Sequence, residues 1–296
     1  MNELASPLAV SLPSVAFVGA GRLGRTLARG LAAKGVAVRA VGSRSASAAH
    51  TLAAELGGCT ALPIQEAAAA AELVFLTVPD DAIAPSAAAL RWLPGQRVVH
   101  CSGATEVAAL AAAQEQGALV GGFHPLQIFS DPERALALLP GSTVAIEAEG
   151  VLADELHALA ALLGMQPLAL RPGTRAAYHG AASFAASFLL SMLDEAAQVW
   201  AAIGLPRDQA LRSLLPLARG TLDAAEAKGL AQALAGPISR GDVGVVARHL
   251  QAFDALGESH GQFYRELSRR QLTLAAESGR LDAAVLARVA ALLESA

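Results

Sequence analysis

The stretch Ser14-Val15-Ala16-Phe17-Val18-Gly19-Ala20-Gly21-Arg22-Leu23-Gly24, followed by the helix-forming run Arg25 to Lys34, decides the fold. An apolar run of strand length leads into G-x-G-x-x-G and then into a helix, the context in which that pattern carries weight. The first glycine allows a tight turn, the second lets backbone N–H groups approach a pyrophosphate, and the third lets helix and strand pack closely, so that an anion faces a helix N-terminus. The candidate cradle is therefore Gly19, Ala20, Gly21, Arg22, Leu23 and Gly24. Further out, the apolar run Val36 to Val41 ends about 20 residues past the fingerprint, where an NAD-binding chain offers a carboxylate to the ribose hydroxyls. Here the chain reads Gly42-Ser43-Arg44-Ser45. A hydroxyl and a guanidinium suit a ribose 2′-phosphate, because Arg presents a planar fork of charge-assisted donors and no carboxylate repels the phosphate. Ser43 and Arg44 thus predict NADP(H), against the plainer reading of Arg44 as a solvated loop charge.

Apolar runs and helix-like segments keep alternating after this unit. Strands are expected at Glu72 to Val78, Gln96 to Cys101, Leu119 to Phe123, Ser142 to Glu147 and Gln166 to Leu170, with helices at Ala46 to Leu56, from Ala82, at Thr105 to Gln116 and at Asp154 to Leu163. Strands spaced by such helices imply an α/β fold with a doubly wound, mainly parallel sheet, whose ligands gather at the carboxyl ends of the strands. That rule selects Val78-Pro79-Asp80-Asp81, either aspartate also being able to cap the next helix, and Ser102-Gly103. From Gly173 the texture changes to one long helical pattern, Arg175 to Ile203, and then to further helices from Pro206 towards Lys228, from Val243 to Leu256 and from Asp282 to Leu293. The reading is a Rossmann domain over 1–172 and an all-helical second domain over 173–296.

Composition narrows the possibilities. The 296 residues are 54% apolar and only 16% charged, more apolar surface than a compact monomer hides easily, so an oligomer is expected. No uncharged apolar run reaches the roughly 18 residues of a membrane span, and Met1 to Ser14, with Pro7 and Pro13 and no basic start, does not read as a signal peptide. A cytoplasmic protein is expected. Cys59 and Cys101 lack disulfide or metal-ligand spacing, so no metal is expected. A net charge of −4 and 4% aromatics argue against nucleic-acid binding. Among 22 basic residues only Lys34 and Lys228 are lysines, and each sits at an expected helix end, so a proton donor must be His, Ser, Tyr or a carboxylic acid.

Val78-Pro79-Asp80-Asp81, His100-Cys101-Ser102-Gly103-Ala104, Phe123-His124-Pro125-Leu126-Gln127, Tyr178-His179 and Gly236 to Asp242, in that order, resemble the Rossmann-like oxidoreductases with a helical C-terminal domain of unknown function. That family is related to pyrroline-5-carboxylate reductases, the NADP domain of deazaflavin-dependent reductases and the 6-phosphogluconate dehydrogenase group, and some members are similar to a ketopantoate reductase class. The resemblance implies a homodimer through the helical domain and an active site in the cleft between the domains. The chain departs from its relatives where they often carry Asn on the long helix and Ser187 stands here.

The candidate chemistry follows from these positions. Ser102, after a strand and before a helix, faces either nicotinamide or substrate, or simply caps the helix. His124, expected in a rigid loop ahead of Pro125, resembles the His-Pro loop that prephenate dehydrogenases place at their substrate, and imidazole is suited to proton exchange near neutrality. His179, Ser183 and Ser187 recur at i, i+4 and i+8 and so share a helix face that offers imidazole and hydroxyls to a substrate, or hydrogen bonds to a neighbouring helix. Gln127 joins them from the His124 motif. Arg240, flanked by Ser239 and Gly241, is the candidate clamp for a substrate carboxylate, with a surface role as the competing reading. The expected activity is NADP(H)-dependent reduction of a small carboxylated 2-oxo acid, ketopantoate-like, with His124 or His179 as proton donor. C=N reduction of the pyrroline-5-carboxylate reductase type and a non-catalytic NADP sensor are the alternatives.

Overall fold

The structure is a computed structural model that describes residues 12–294; most of the Met1 to Ser14 lead-in therefore lies outside the described residues. Eight strands form one sheet: β1 (Val15–Val18), β2 (Val38–Gly42), β3 (Thr60–Ala61), β4 (Leu73–Leu76), β5 (Arg97–His100), β6 (Leu119–Pro125), β7 (Thr143–Glu147) and β8 (Gln166–Ala169). Their order is β3-β2-β1-β4-β5-β6-β7-β8. Every neighbouring pair is parallel except β6 with β7. The doubly wound, mainly parallel sheet expected from the alternation is the sheet observed, with its order reversing between β1 and β4.

Helices α1 (Arg22–Ala33), α2 (Ala46–Glu55), α3 (Ile64–Ala69), α4 (Asp80–Ala89), α5 (Ala111–Gln114), α6 (Pro132–Ala137) and α7 (Gly150–Leu162) connect the strands. Parallel strands buried on both faces read as continuous apolar runs, and all four residues of β1 and of β4 are buried. Phe17 stacks on Phe75 at 5.1 Å, and Phe123 meets Phe75 edge-on at 5.7 Å, which ties β1, β4 and β6 into one core.

The chain separates into two compact units, one through Ser183 and one from Phe184. The second is helical: after α8 (Arg175–Ala185) come α9 (Ser187–Ala202), α10 (Arg207–Lys228), α11 (Leu230–Ala233), α12 (Val243–Leu256), α13 (Glu258–Glu277) and α14 (Ala283–Glu294). Ile238, Val246, Leu250, Ala275, Val289 and Leu293 form its buried cluster. Along α9 and α10 only Ala197 and Ala210 are buried, whereas Leu190 and Leu217 there, and Leu230 at the start of α11, are each 68% exposed.

Three local expectations need correction. The helix expected over Thr105 to Gln116 is instead a turn, a short 3₁₀ segment Val107–Leu110 and α5, because Glu106 is held extended (ψ 151°) with its carboxylate committed elsewhere. The long helix Arg175 to Ile203 breaks at Ala186 (φ −115°, ψ −90°), although no Gly or Pro stands between 181 and 203 to announce it. That broken stretch, Arg175–Ala202, is long and apolar enough to cross a membrane, with mean hydropathy 1.2, yet it begins at a fully buried, ion-paired arginine. Finally, His124 lies inside β6, paired across from Ala145 of β7, and not in a loop after the strand.

Candidate cofactor and catalytic site

The fingerprint is built around Thr77, the residue after β4. Its hydroxyl donates to the Gly19 carbonyl at 2.8 Å. A Cβ at Gly19 would come within 2.5 Å of the Thr77 carbonyl oxygen, and one at Gly24 within 2.5 Å of the Thr77 hydroxyl; Gly19 also has φ +113°, which favours glycine. A Cβ at Gly21 would meet nothing within 4 Å, so this glycine borders open space. Helix α1 starts at Arg22 with neither a capping side chain nor an acidic residue in its first turn, so its N–H groups stay available to an anion. A groove of about 560 Å³ runs past Gly19, Ala20, Gly21, Ser43, Arg44, Val78 and Pro79. Arg22, Leu23 and Gly24 form the first turn of α1. Arg44 is exposed and Ser43 half-buried, both on the groove wall after β2. This cradle fits a dinucleotide with an extra ribose phosphate.

A second cluster occupies the ends of β5 and β6 and the first turns of α8. Asp80 is the first residue of α4 and caps nothing; its carboxylate accepts a hydrogen bond from the Ser102 hydroxyl at 2.7 Å. Ser102 Oγ in turn accepts from the Ala104 and Thr105 N–H groups at 3.2 and 2.9 Å, which closes a turn where a helix start was expected. At Gly103 a Cβ would lie 2.4 Å from His179 Nδ1 and 2.8 Å from His124 Nε2, so the missing side chain is what lets the two imidazoles close on this backbone. Their rings meet edge to face at 5.5 Å, and His124 Nδ1 is 3.2 Å from the Tyr178 hydroxyl.

Burial sets the charge state here. It drives the His124 imidazole down to about 4, helped by His179 and Arg175, and lowers His100 to about 4, helped by Arg175. Burial also raises the Tyr178 phenol above its ordinary value. All three are neutral at pH 7. Arg175, fully buried, donates Nε to Glu147 at 2.6 Å and Nη1 to the Ser102 carbonyl at 2.8 Å.

The other expected residues fall differently. Gln127 is occupied locally, accepting from the Ile128 N–H at 2.8 Å and donating to the carbonyl of Leu138, just past α6, at 3.4 Å. Ser183 is half-buried in α8, but Ser187 starts α9 beyond the break, so the i, i+4, i+8 face is not continuous. Arg240 ends a 3₁₀ turn, Ile238–Arg240, and is exposed; among the described residues its guanidinium has no partner. The turn is shaped by Gly241 (φ +65°), where a Cβ would be 2.3 Å from Val285 Cγ1, and Asp242 caps α12 through the Val245 N–H at 3.0 Å. His249 and His260 pair with Tyr264 and Glu195 inside the helical unit. Sequence reasoning missed Arg175, Glu147, Glu106 and His100 as site-builders, and had Tyr178 only as part of a motif. The one available signal was an arginine at the start of an otherwise apolar helix.

Fold and site together define a Rossmann-type dinucleotide-binding oxidoreductase. Residues 14–103 match the family model described as NADP oxidoreductase, coenzyme F420-dependent, and residues 142–271 match a domain of unknown function, DUF2520. Protein TM1727 from Thermotoga maritima is similar in structure, with a TM-score of 0.72 and 25% identity over 90% of this chain and 100% of that one. The NADP oxidoreductase candidate BF3122 from Bacteroides fragilis has a TM-score of 0.65 and 25% identity over 88% of this chain and 98% of that one. An imine reductase from Pseudomonas sp. shares the fold, with a TM-score of 0.60 and 20% identity over 95% and 100% of the two chains. Comparison with curated proteins finds no match. The chain is an NADP-dependent oxidoreductase with a helical C-terminal domain, as the motifs implied.

Proposed function

We propose that this oxidoreductase reduces the carbonyl of a small carboxylated 2-oxo acid, ketopantoate-like, with residues 1–172 holding NADPH and residues 173–296 serving substrate binding and dimerisation. The observation that carries this reading is the contact of His124 with Tyr178 and His179 at the strand ends of the cofactor-binding unit. When bound, NADPH supplies the hydride. The protein must then protonate an alkoxide, a base about as strong as hydroxide. A neutral phenol or imidazole serves for that, whereas neither readily protonates a neutral imine. His124, His179 or the Tyr178 phenol delivers that proton, and His124 Nδ1 stands 3.2 Å from the phenol oxygen. Ser102, its hydroxyl proton committed to Asp80 and its lone pairs to the Ala104 and Thr105 N–H groups, shapes the backbone beside the two imidazoles, and Ser183 offers a further hydroxyl. The exposed guanidinium of Arg240, without a partner among the described residues, suits a substrate carboxylate.

Imine reduction is the second reading, favoured by the imine reductases among the fold neighbours. Stopped-flow NADPH oxidation with a panel of 2-oxo acids and cyclic imines tests both. Turnover of 2-oxo acids alone supports the first and of imines alone the second, while tight NADPH binding without oxidation across the panel replaces both with a sensor role. The exposed Leu190, Leu217 and Leu230 support a homodimer through the helical unit. Two free cysteines and a reduced nicotinamide cofactor suit the reducing cytoplasm.

A further inference from the structure

We propose that Arg175 is a positioning residue: its guanidinium clasps Glu147 and the Ser102 carbonyl beneath Gly122, sets the first turn of α8 on the strand ends, and fixes a positive charge beside His100 and His124. Its role rests on the catalytic reading above only for the kinetic arm of the test.

The geometry joins four separate chain segments. Nε bonds Glu147 at the end of β7, and Nη1 bonds the carbonyl that follows β5. Nη2 lies so close over β6 that a Cβ at Gly122 would sit 1.8 Å from it, and this nitrogen is buried with no partner among the described residues. The backbone is held as well: Glu106 accepts from the Gly173 and Arg175 N–H groups at 3.0 and 3.2 Å, a carboxylate placed at the positive end of α8. One turn beyond this anchor stand Tyr178 and His179, the two groups that meet His124.

A guanidinium so enclosed stays charged, since arginine does not give up its proton in proteins. The groups acting on His124 are His179 and Arg175 from α8, Asp80 from α4 and His100 from β5; of these only Asp80 favours the imidazolium. His100 feels Arg175 against it, and Asp80 and Glu106 in its favour. Arg175 is thus the permanent charge that opposes protonation of both rings. Lysine could supply that charge but not the three-way clasp.

The test uses the full chain in three forms: wild type, Arg175→Lys, and the double variant Arg175→Met with Glu147→Leu, which replaces the buried pair by apolar side chains and leaves no lone carboxylate. Histidine ring resonances are followed by NMR from pH 3.5 to 8, with thermal melting as the check on folding. This arm needs no substrate, so it stands whether or not a reductase substrate is found. The expected result is an upward shift of the His124 and His100 midpoints by about half a unit or more in the double variant. Arg175→Lys is expected to keep both midpoints low while altering the ring signals of His124 and Tyr178, and to lower kcat with little change in KM for NADPH. A folded double variant with wild-type midpoints overturns the proposal. Should the double variant fail to fold, Arg175→Lys decides: altered Tyr178 and His124 signals support the clasp, and wild-type signals overturn it.

Discussion

The fingerprint groove and the imidazole cluster lie in the same compact unit but are built in opposite ways. The groove is made of backbone: glycines whose missing side chains make room for Thr77, and a helix N-terminus without a cap. The cluster is made of side chains drawn from β5, β6, β7 and α8, held by one buried ion pair. A backbone site is specified by residues adjacent in sequence and tolerates variation around it. A side-chain site depends on the sheet register that brings distant residues together, and on charges with no water to relieve them.

The contrast can be broken most sharply at the groove. Gly19→Val adds a Cβ where only 2.5 Å separates that position from the Thr77 carbonyl oxygen and where φ is positive. NADPH binding, read by fluorescence titration, is expected to weaken at least about 100-fold, roughly 3 kcal/mol or more. On the cluster side, Glu147→Gln leaves the fully buried Arg175 without its counter-charge. Chemical denaturation should show a loss of about 3 kcal/mol, larger than for any exposed ion pair.

The pH dependence sharpens the same point. His100 falls from its ordinary 6.5 to about 4 in the folded chain, so the unfolded chain binds more protons between those values. Stability is then complete above about pH 6.5 and is lost as pH falls through about 4, by up to roughly 3 kcal/mol for this one ring. Denaturant midpoints measured from pH 8 to pH 4 check it, and a flat profile would show His100 to be solvated in solution.

Smaller effects are expected at the exposed arginines. Arg44→Ala should weaken NADPH binding about tenfold, near 1.4 kcal/mol, and leave NADH nearly unchanged; equal losses for both would remove the 2′-phosphate assignment. Arg240→Ala should raise KM for carboxylated substrates by several fold without touching kcat, an effect of about 1 kcal/mol that separates a ligand clamp from a surface charge.

Legibility followed the same divide. The strand-turn-helix at Val15 to Ala33 and the approach of Ser43 and Arg44 could be read because each depends on residues near one another in sequence. His124 and His179 were singled out one at a time, but nothing in their spacing said that Gly103 would let them touch. The i, i+4, i+8 argument for Ser187 failed because a break at Ala186 has no signature in an Ala-rich run. The expected helix at Thr105 failed because Ser102 and Glu106 spend their hydrogen-bonding capacity on a turn and on the start of α8.

Local pattern alone was enough for the doubly wound sheet, the phosphate-binding turn and the helical character of the second half, since apolar periodicity and glycine geometry act over a few residues. Which imidazoles meet, which charge is buried among them and which state they keep came from strand order and from the single arginine clasped between β5, β6 and β7. Electrostatics in a dry interior depend on distances between segments as far apart as His100 and Arg175, and folding sets those distances.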